Sequence, residues 1–340
     1  MSSQMTYKPE WIREDFVDFI AEKINPMWSW KKVKASVQQV EKIGADFFKI
    51  TLKPNRNFQY QQLQAGQSIL VTVVIAGVRQ QRSYSVIEML PNGDLVIGVK
   101  VQGLVSTQLA KLLKNDVVEI SQGQGDFVLA KTPQPIVLIA SGSGITAIYA
   151  LLKQALAQNF PAIDLIYFNR DEAFHVELEQ LASQHPQLNY LHIHTAQTKQ
   201  HLDVKLLLAH APEYQTRMTY ACGANGMMKS INQIYQEQGL GHLLKQEYFQ
   251  LLVDENAESQ KVLFQRSQHE FEAKTNLLQS AEQAGLKPAH GCRIGICNTC
   301  TCTKISGSTK NLLTGEINHQ SNTRIKLCIS QAVSPVVINL

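Results

Sequence analysis

Gly291-Cys292-Arg293-Ile294-Gly295-Ile296-Cys297-Asn298-Thr299-Cys300, with Cys328 following after a long gap, is the stretch that decides how this chain is read. Its cysteines fall as C-x4-C-x2-C…C, the thiolate spacing of a [2Fe-2S] cluster held by one wrapping loop and one distant strand. Such a loop must be tight and must expose its backbone. Gly291 and Gly295 suit it, because a residue without Cβ tolerates unusual dihedrals and lets N–H groups approach the sulfurs. The spacing predicts a protein that moves single electrons.

Two other readings of these cysteines stand beside it. Disulfides need an oxidising compartment, and Met1 to Glu10 lacks the apolar h-region of a secretion signal, so the thiols are expected to stay reduced. Structural zinc usually takes two short Cys/His pairs, whereas here there is a triple cluster and one remote cysteine. Cys302 and Cys222 fall outside the pattern. Cys302 could replace a ligand, but strand alternation after Cys300 turns it into the domain interior as a compact hydrophobe.

The rest of the chain bounds the answer. At 340 residues it exceeds one ordinary core, so two or three domains are expected. With 44% hydrophobic and 18% charged residues the composition is that of a soluble globular protein. No stretch approaches the roughly 18 to 20 uninterrupted apolar residues of a membrane span. The net charge of +4 is uneven: Ser259 to Leu340 holds nine Lys/Arg against four Asp/Glu. That surplus suits an acidic partner, anionic headgroups or a merely solvated basic surface, and is too small to argue nucleic-acid binding.

Working towards the N-terminus, the pattern changes three times. Glu10 to Ile24 spaces Ile12, Phe16, Phe19, Ile20 and Ile24 as an amphipathic helix. Pro26-Met27-Trp28-Ser29-Trp30 and Lys31-Lys32-Val33-Lys34 follow, aromatic residues beside lysines that suit a membrane surface, a partner's face or packing back onto the next domain. From Ala35 to Pro133 short runs such as Ser36 to Val40, Phe47 to Leu52, Ile69 to Ile75, Leu95 to Val101 and Val117 to Ile120 predict an antiparallel barrel, with a turn at Pro91-Asn92-Gly93. From Ile136 an apolar strand, the turn Ser141-Gly142-Ser143-Gly144, a helix from Ile145 to Gln158 and a strand from Ile163 to Phe168 predict a parallel α/β nucleotide-binding sheet. Met218 to Cys222 repeats the strand, leading to Gly223 and a helix from about Gly226. The expected division is an extension at 1–34, a barrel at 35–133, a nucleotide domain at 134–253, a linker at 254–258 and a cluster domain at 259–340.

A barrel followed by such a sheet draws attention to Arg82-Ser83-Tyr84-Ser85. An arginine can neutralise a diphosphate, a tyrosine can stack on a flavin ring and a serine hydroxyl can bond a ring nitrogen. Lys100 and Gly103-Leu104-Val105-Ser106-Thr107 follow, a segment that can open a helix whose free N–H groups bind phosphate. In these motifs the chain resembles the ferredoxin-NADP reductase superfamily, from about Ala35 to the end. The resemblance implies an antiparallel β-barrel flavin domain, a Rossmann-like parallel-sheet NAD(P) domain and an α+β β-grasp domain of the plant-type ferredoxin kind.

It also implies roles for single residues. Arg82, Ser83, Tyr84 and Ser85 would contact flavin, and Lys100, Gly103, Val105, Ser106 and Thr107 would lie at its diphosphate. Gly142, Ser143, Gly144 and Thr146 would form the nicotinamide-diphosphate loop. Cys222 and Gly223 would lie beside the nicotinamide, with Glu247 and Phe249 near the flavin. Ser85 and Cys222 would stand at the reacting rings, tuning and positioning rather than reacting covalently. Cys292, Cys297, Cys300 and Cys328 would hold the metal.

A two-electron hydride donor and a one-electron cluster need a flavin between them to split the pair. The N-terminal extension makes the chain resemble reductases that serve stearoyl-CoA 9-desaturase rather than the phthalate dioxygenase reductase type, which prefers FMN. The expected cofactors are therefore FAD, a [2Fe-2S] cluster and NADPH. NADH is the alternative, because Asn169-Arg170-Asp171-Glu172 offers both an arginine for a 2′-phosphate and acids for a ribose hydroxyl. The expected acceptor is a membrane-bound diiron acyl desaturase or hydroxylase. The expected location is cytoplasmic, at the inner face of the membrane. The alternatives are the reductase of a soluble Rieske-type or diiron oxygenase and, from another class, a non-catalytic metal-binding scaffold.

Overall fold

A computed structural model of the chain describes residues 14–249 and 257–340. The expected helix start at Glu10 and Ile12, and the linker from Asp254 to Asn256, lie outside the described residues.

The extension is α1 (Glu14–Ile24) and a short connection. Its backbone is tied down by polar side chains. Asp18 is buried and accepts hydrogen bonds from Ser29 Oγ (3.0 Å) and Trp30 N (2.7 Å). Burial alone would raise the Asp18 carboxyl, but the Trp30 and Ser29 bonds and Lys32 leave it below its ordinary value. Asn55 and Asn57, beyond the second barrel strand, donate to the carbonyls of Met27, Ser29 and Lys32. The connection thus packs back onto the next domain by its backbone while the indoles of Trp28 and Trp30 stay 54% and 55% exposed.

Six strands close the barrel: β1 (Val33–Lys42), β2 (Phe47–Pro54), β3 (Ser68–Ile75), β4 (Val78–Met89), β5 (Leu95–Lys100) and β6 (Val117–Ile120), in the order β1-β2-β5-β4-β3-β6. Alternation fills it, with Val33, Ala35 and Val37 turned inward along β1. Ala76 and Gly77, both with positive φ, make the two-residue hairpin from β3 to β4. The Pro91-Asn92-Gly93 turn closes on a bond from Leu90 N to Asp94 O. Between β5 and β6 lies α2 (Leu104–Leu109).

The second sheet is parallel, in the order β11-β10-β7-β8-β9, built from β7 (Ile136–Ser141), β8 (Ile163–Asn169), β9 (Leu188–His194), β10 (Met218–Cys222) and β11 (Leu244–Glu247). The helices α3 (Ile145–Ala157), α4 (His175–Gln184), α5 (Thr195–Thr198), α6 (Val204–His210) and α7 (Asn225–Glu237) connect its strands. β7 is apolar throughout because both faces are covered. Ile136, Leu138 and Ala140 join the core that contains α3, while Val137 and Ile139 join the core that contains α7.

The last domain has a five-stranded sheet, β13-β12-β19-β14-β17, and a three-stranded one, β16-β15-β18. Its strands are β12 (Gln260–Phe264), β13 (His269–Ala273), β14 (Thr301–Ser306), β15 (Thr309–Asn311), β16 (Ile317–Asn318), β17 (Thr323–Lys326), β18 (Ser330–Ala332) and β19 (Val336–Ile338). Its helix α8 (Leu277–Gln283) packs Leu277, Leu278 and Ala281 into a core shared with Val262, Phe264 and Ile338. Cys302 alternates inward on β14 and joins this core. Burial pushes its thiol up to about 12. No helix among the described residues is long and apolar enough to cross a membrane.

Candidate active site

The cysteine loop comes together as the spacing predicts. Cys292, Cys297, Cys300 and Cys328 are all buried, and none is in a disulfide. They fall into two pairs. Cys292 N points to Cys297 Sγ and Cys297 N to Cys292 Sγ, each at 3.3 Å, and the sulfurs of Cys300 and Cys328 lie 3.3 Å apart. Four buried cysteine sulfurs, two of them met by backbone N–H groups, could supply the donor set and outer shell of a two-iron cluster. The loop needs its glycines: Gly295 has φ +84°, and a Cβ at Gly291 would lie 3.1 Å from Cys297 Sγ.

This loop sits against the barrel. Leu70 of β3 packs with Cys292 and Cys297, and the Gly291 position faces Gln81 of β4, the residue before the Arg82 motif. Arg293, with φ +65°, reaches back to pair with Glu282 of α8 through both terminal nitrogens. Burial and then the neighbouring Arg293 lower the Arg82 guanidinium from its ordinary value. The cluster loop and the flavin motif are therefore neighbours.

Beside them opens a cleft of about 390 Å³ between β4, β5, α2 and the turn after β7. Of the residues expected there, Arg82, Ser83, Tyr84, Ser85, Lys100, Gly103, Val105, Ser106, Ser143, Thr146 and Phe249 line it. Ser106 Oγ accepts from Gln102 N and Gly103 N and so sets the start of α2. Ser85 Oγ is buried with no hydrogen-bond partner. A polar atom left so in a cleft wall fits a ligand that would complete it. Leu104, inside the expected Gly103 to Thr107 segment, lines the cleft too, as do Gln80, Gly98 and Gln102, which no motif in the sequence marks. Gly98 is fixed by packing across domains, since a Cβ there would lie 2.3 Å from Thr146 Cγ2.

Thr107, Gly142, Gly144, Arg170, Cys222, Gly223 and Glu247 are not in the cleft wall. Gly144 packs on the end of β10, where a Cβ would fall 2.0 Å from Cys222 O. Register places Cys222 opposite Glu247 on β11. Burial, and then Glu247, raise the Cys222 thiol well above its ordinary value. Burial and then Asp126 push the Glu247 carboxyl up to about 8, and its Oε2 has no partner. Glu247 borders a second cavity, shared by Phe127 and Tyr248 with Ile294, Gly295 and Ile296 of the cluster loop. Arg170 lines neither cavity and is exposed just beyond β8. Asp171 is engaged elsewhere, accepting from Asn169 Nδ2 (2.7 Å) and Ala173 N (3.0 Å).

Comparison with known proteins agrees with this layout. Residues 34–129 match the oxidoreductase FAD-binding domain, 138–233 the oxidoreductase NAD-binding domain and 262–332 the 2Fe-2S iron-sulfur cluster binding domain. The chain carries these three domains in the order FAD, NAD and 2Fe-2S and is an NAD(P)H-dependent flavin and iron–sulfur reductase. It is 28% identical over 332 residues to an NADPH oxidoreductase of Mycobacterium tuberculosis, covering 93% of this chain and 86% of the relative. It is 25% identical over 322 residues to tetrachlorobenzoquinone reductase of Sphingobium chlorophenolicum, covering 90% and 97%. Among solved structures, phthalate dioxygenase reductase shares the fold, with a TM-score of 0.61 at 22% identity over 90% of this chain and 97% of that one.

Proposed function

We propose that this reductase takes hydride from NADPH and delivers single electrons to a membrane-bound diiron acyl desaturase or hydroxylase. The observation that carries the acceptor assignment is the N-terminal surface. Phe19, Ile20 and Ile24 of α1 are 54%, 44% and 69% exposed, and Trp28 and Trp30 just beyond it are exposed as well. Lys23 stands over the Phe19 ring, and Arg56 lines a groove beside both indoles. Exposed indoles and aliphatic groups edged by cations suit the interface of an anionic bilayer, where the acceptor would sit.

The roles within the site follow from its chemistry. Bound nicotinamide supplies a hydride, flavin passes its electrons singly and the cluster carries them outward. Arg82 and the N–H groups at the start of α2 would hold the flavin diphosphate. Tyr84 and Phe249 would flank its ring, with Ser85 Oγ within the same wall. The turn from Gly142 to Gly144 and the N-terminus of α3 would receive the nicotinamide diphosphate. Cys222 and Glu247, neutral in their buried places, would position the rings without exchanging a covalent bond. Arg170, exposed and without an ion pair among the described residues, would receive a 2′-phosphate. The similarity to an enzyme named NADPH oxidoreductase supports that preference.

A soluble oxygenase is the second reading, favoured by likeness to phthalate dioxygenase reductase. The experiment that separates them is conversion of stearoyl-CoA to oleoyl-CoA by desaturase-containing membranes, with and without this protein, using NADPH and then NADH. A strict requirement for the protein with NADPH supports the proposal. No stimulation, with cytochrome c still reduced, keeps the reductase and moves the acceptor to a soluble oxygenase or another membrane hydroxylase.

A further inference from the structure

The outer edge of the nucleotide sheet carries side chains that the electron path does not use. β9 is the edge strand, and alternation turns Tyr190, His192 and His194 towards α4, which begins at His175. The rings of His175 and His192 meet with centroids 4.1 Å apart. Two carboxylates stand over them, Glu172 in the turn before α4 and Glu179 one turn along it. His175 Nε2 lies 3.4 Å from Glu179 Oε1 and 3.8 Å from Glu172 Oε2, and His194 Nε2 lies 3.9 Å from Glu172 Oε1.

Two features separate this group from a set of surface ion pairs. The first is unused nitrogen: His192 Nε2 and His194 Nδ1 are both buried and have no hydrogen-bond partner. The second is orientation. His175 Nδ1 and Tyr190 Oη share a hydrogen bond of 3.1 Å, which turns Nε2 towards the carboxylates as an outer-shell partner orients a metal ligand. One donor atom each from Glu172, His175 and His192 lies within 4.8 Å of the others. Tetrahedral ligation at about 2.0–2.1 Å puts donors about 3.3 Å apart. Small side-chain rotations, chiefly of the exposed Glu172, close that gap.

We propose that Glu172, His175 and His192 bind one divalent transition-metal ion of the zinc class, with His194 or Glu179 in reach as a further donor. Two imidazoles and a carboxylate suit zinc and its neighbours, whereas magnesium and calcium take oxygen shells. The exposed glutamates leave an entry path from solvent. The donors sit on β9, on α4 and in the turn before it, so the site belongs to the nucleotide domain and not to the cluster domain.

The test is calorimetric titration of the holoprotein, FAD and cluster intact, with Zn²⁺. The wild type should bind one equivalent, and His175→Gln and Glu172→Gln should each weaken that binding at least tenfold, in the range seen when zinc-site partners are removed. His269→Gln, a change at an exposed histidine of the cluster domain, should leave it unchanged. Because His192→Gln can disturb the sheet edge, the two outer variants carry the decision. Absence of stoichiometric binding in the wild type, or equal binding in His175→Gln and Glu172→Gln, overturns the site.

Discussion

At the cluster end of this molecule, Cys292, Cys297, Cys300 and Cys328 are buried and paired with one another or with backbone N–H groups. At the hydride end, Ser85 and Glu247 are just as buried, yet Ser85 Oγ and Glu247 Oε2 have no partner. The contrast follows from what each end must do. A cluster is held permanently and is best surrounded by groups already satisfied, which tune it and exclude water. Ser85 lines the cleft proposed for flavin and Glu247 borders the cavity beside the cluster loop, where a buried open polar atom fits a ligand that would complete it. Cys302 and Cys222 repeat the contrast in single residues. Both thiols are buried, raised and packed into a hydrophobic core, but Cys302 lies within β14 of the cluster domain, whereas Cys222 lies at a strand end against Gly144 and Glu247.

The largest effect that would sharpen this division is expected from Cys297→Ser. Iron content and one-electron delivery to cytochrome c should fall to background while NADPH still bleaches the flavin. Loss of both would break the separation of the two ends. Arg82→Ala should come next, weakening FAD retention about 10- to 100-fold, the worth of one charge-assisted bond. Flavin content after gel filtration measures it, and an unchanged content would remove Arg82 from the diphosphate site. Arg170→Ala should raise the KM for NADPH roughly tenfold and leave NADH unaffected, as expected for one exposed phosphate contact. Parallel steady-state assays with both nucleotides decide this.

The smallest effect concerns Glu247. Its carboxyl is raised from 4.5 to about 8, so between those values the folded protein keeps a proton that the unfolded chain has released. Stability should therefore fall as pH rises through that window. Glu247→Gln should flatten the slope of unfolding midpoint against pH. A slope equal to wild type would mean that the carboxyl is not held neutral.

Much of this arrangement could be read from the chain because the motifs are local. The cysteine spacing, Arg82 to Ser85 and Gly103 to Ser106 each lie in one strand, loop or helix start, and the last two sets share one cleft wall. Cys302 was legible by simple alternation. What escaped depends on distant packing. Gly98 is just another residue of a barrel strand until Thr146, from the next domain, is set against it. β4 reads as a motif rather than a strand because Arg79 to Ser85 is polar, and much of that stretch faces the cleft rather than a core. The exposure of Trp28 and Trp30 was undecided for a similar reason. The asparagines that pin their backbone, Asn55 and Asn57, come from beyond the second barrel strand. The histidines of β9 alternate as a strand should, but only α4 supplies the partner ring that makes them a group.

The central claim is that electrons enter as a hydride at one end and leave singly through the other within one chain. Anaerobic stopped-flow mixing of the holoprotein with NADPH, following flavin and cluster absorbance separately, tests it most directly. The account predicts that flavin absorbance falls first and cluster absorbance follows, and that Cys297→Ser shows only the first step. A cluster that stays oxidised after the flavin is reduced, or one reduced without the flavin, would contradict it.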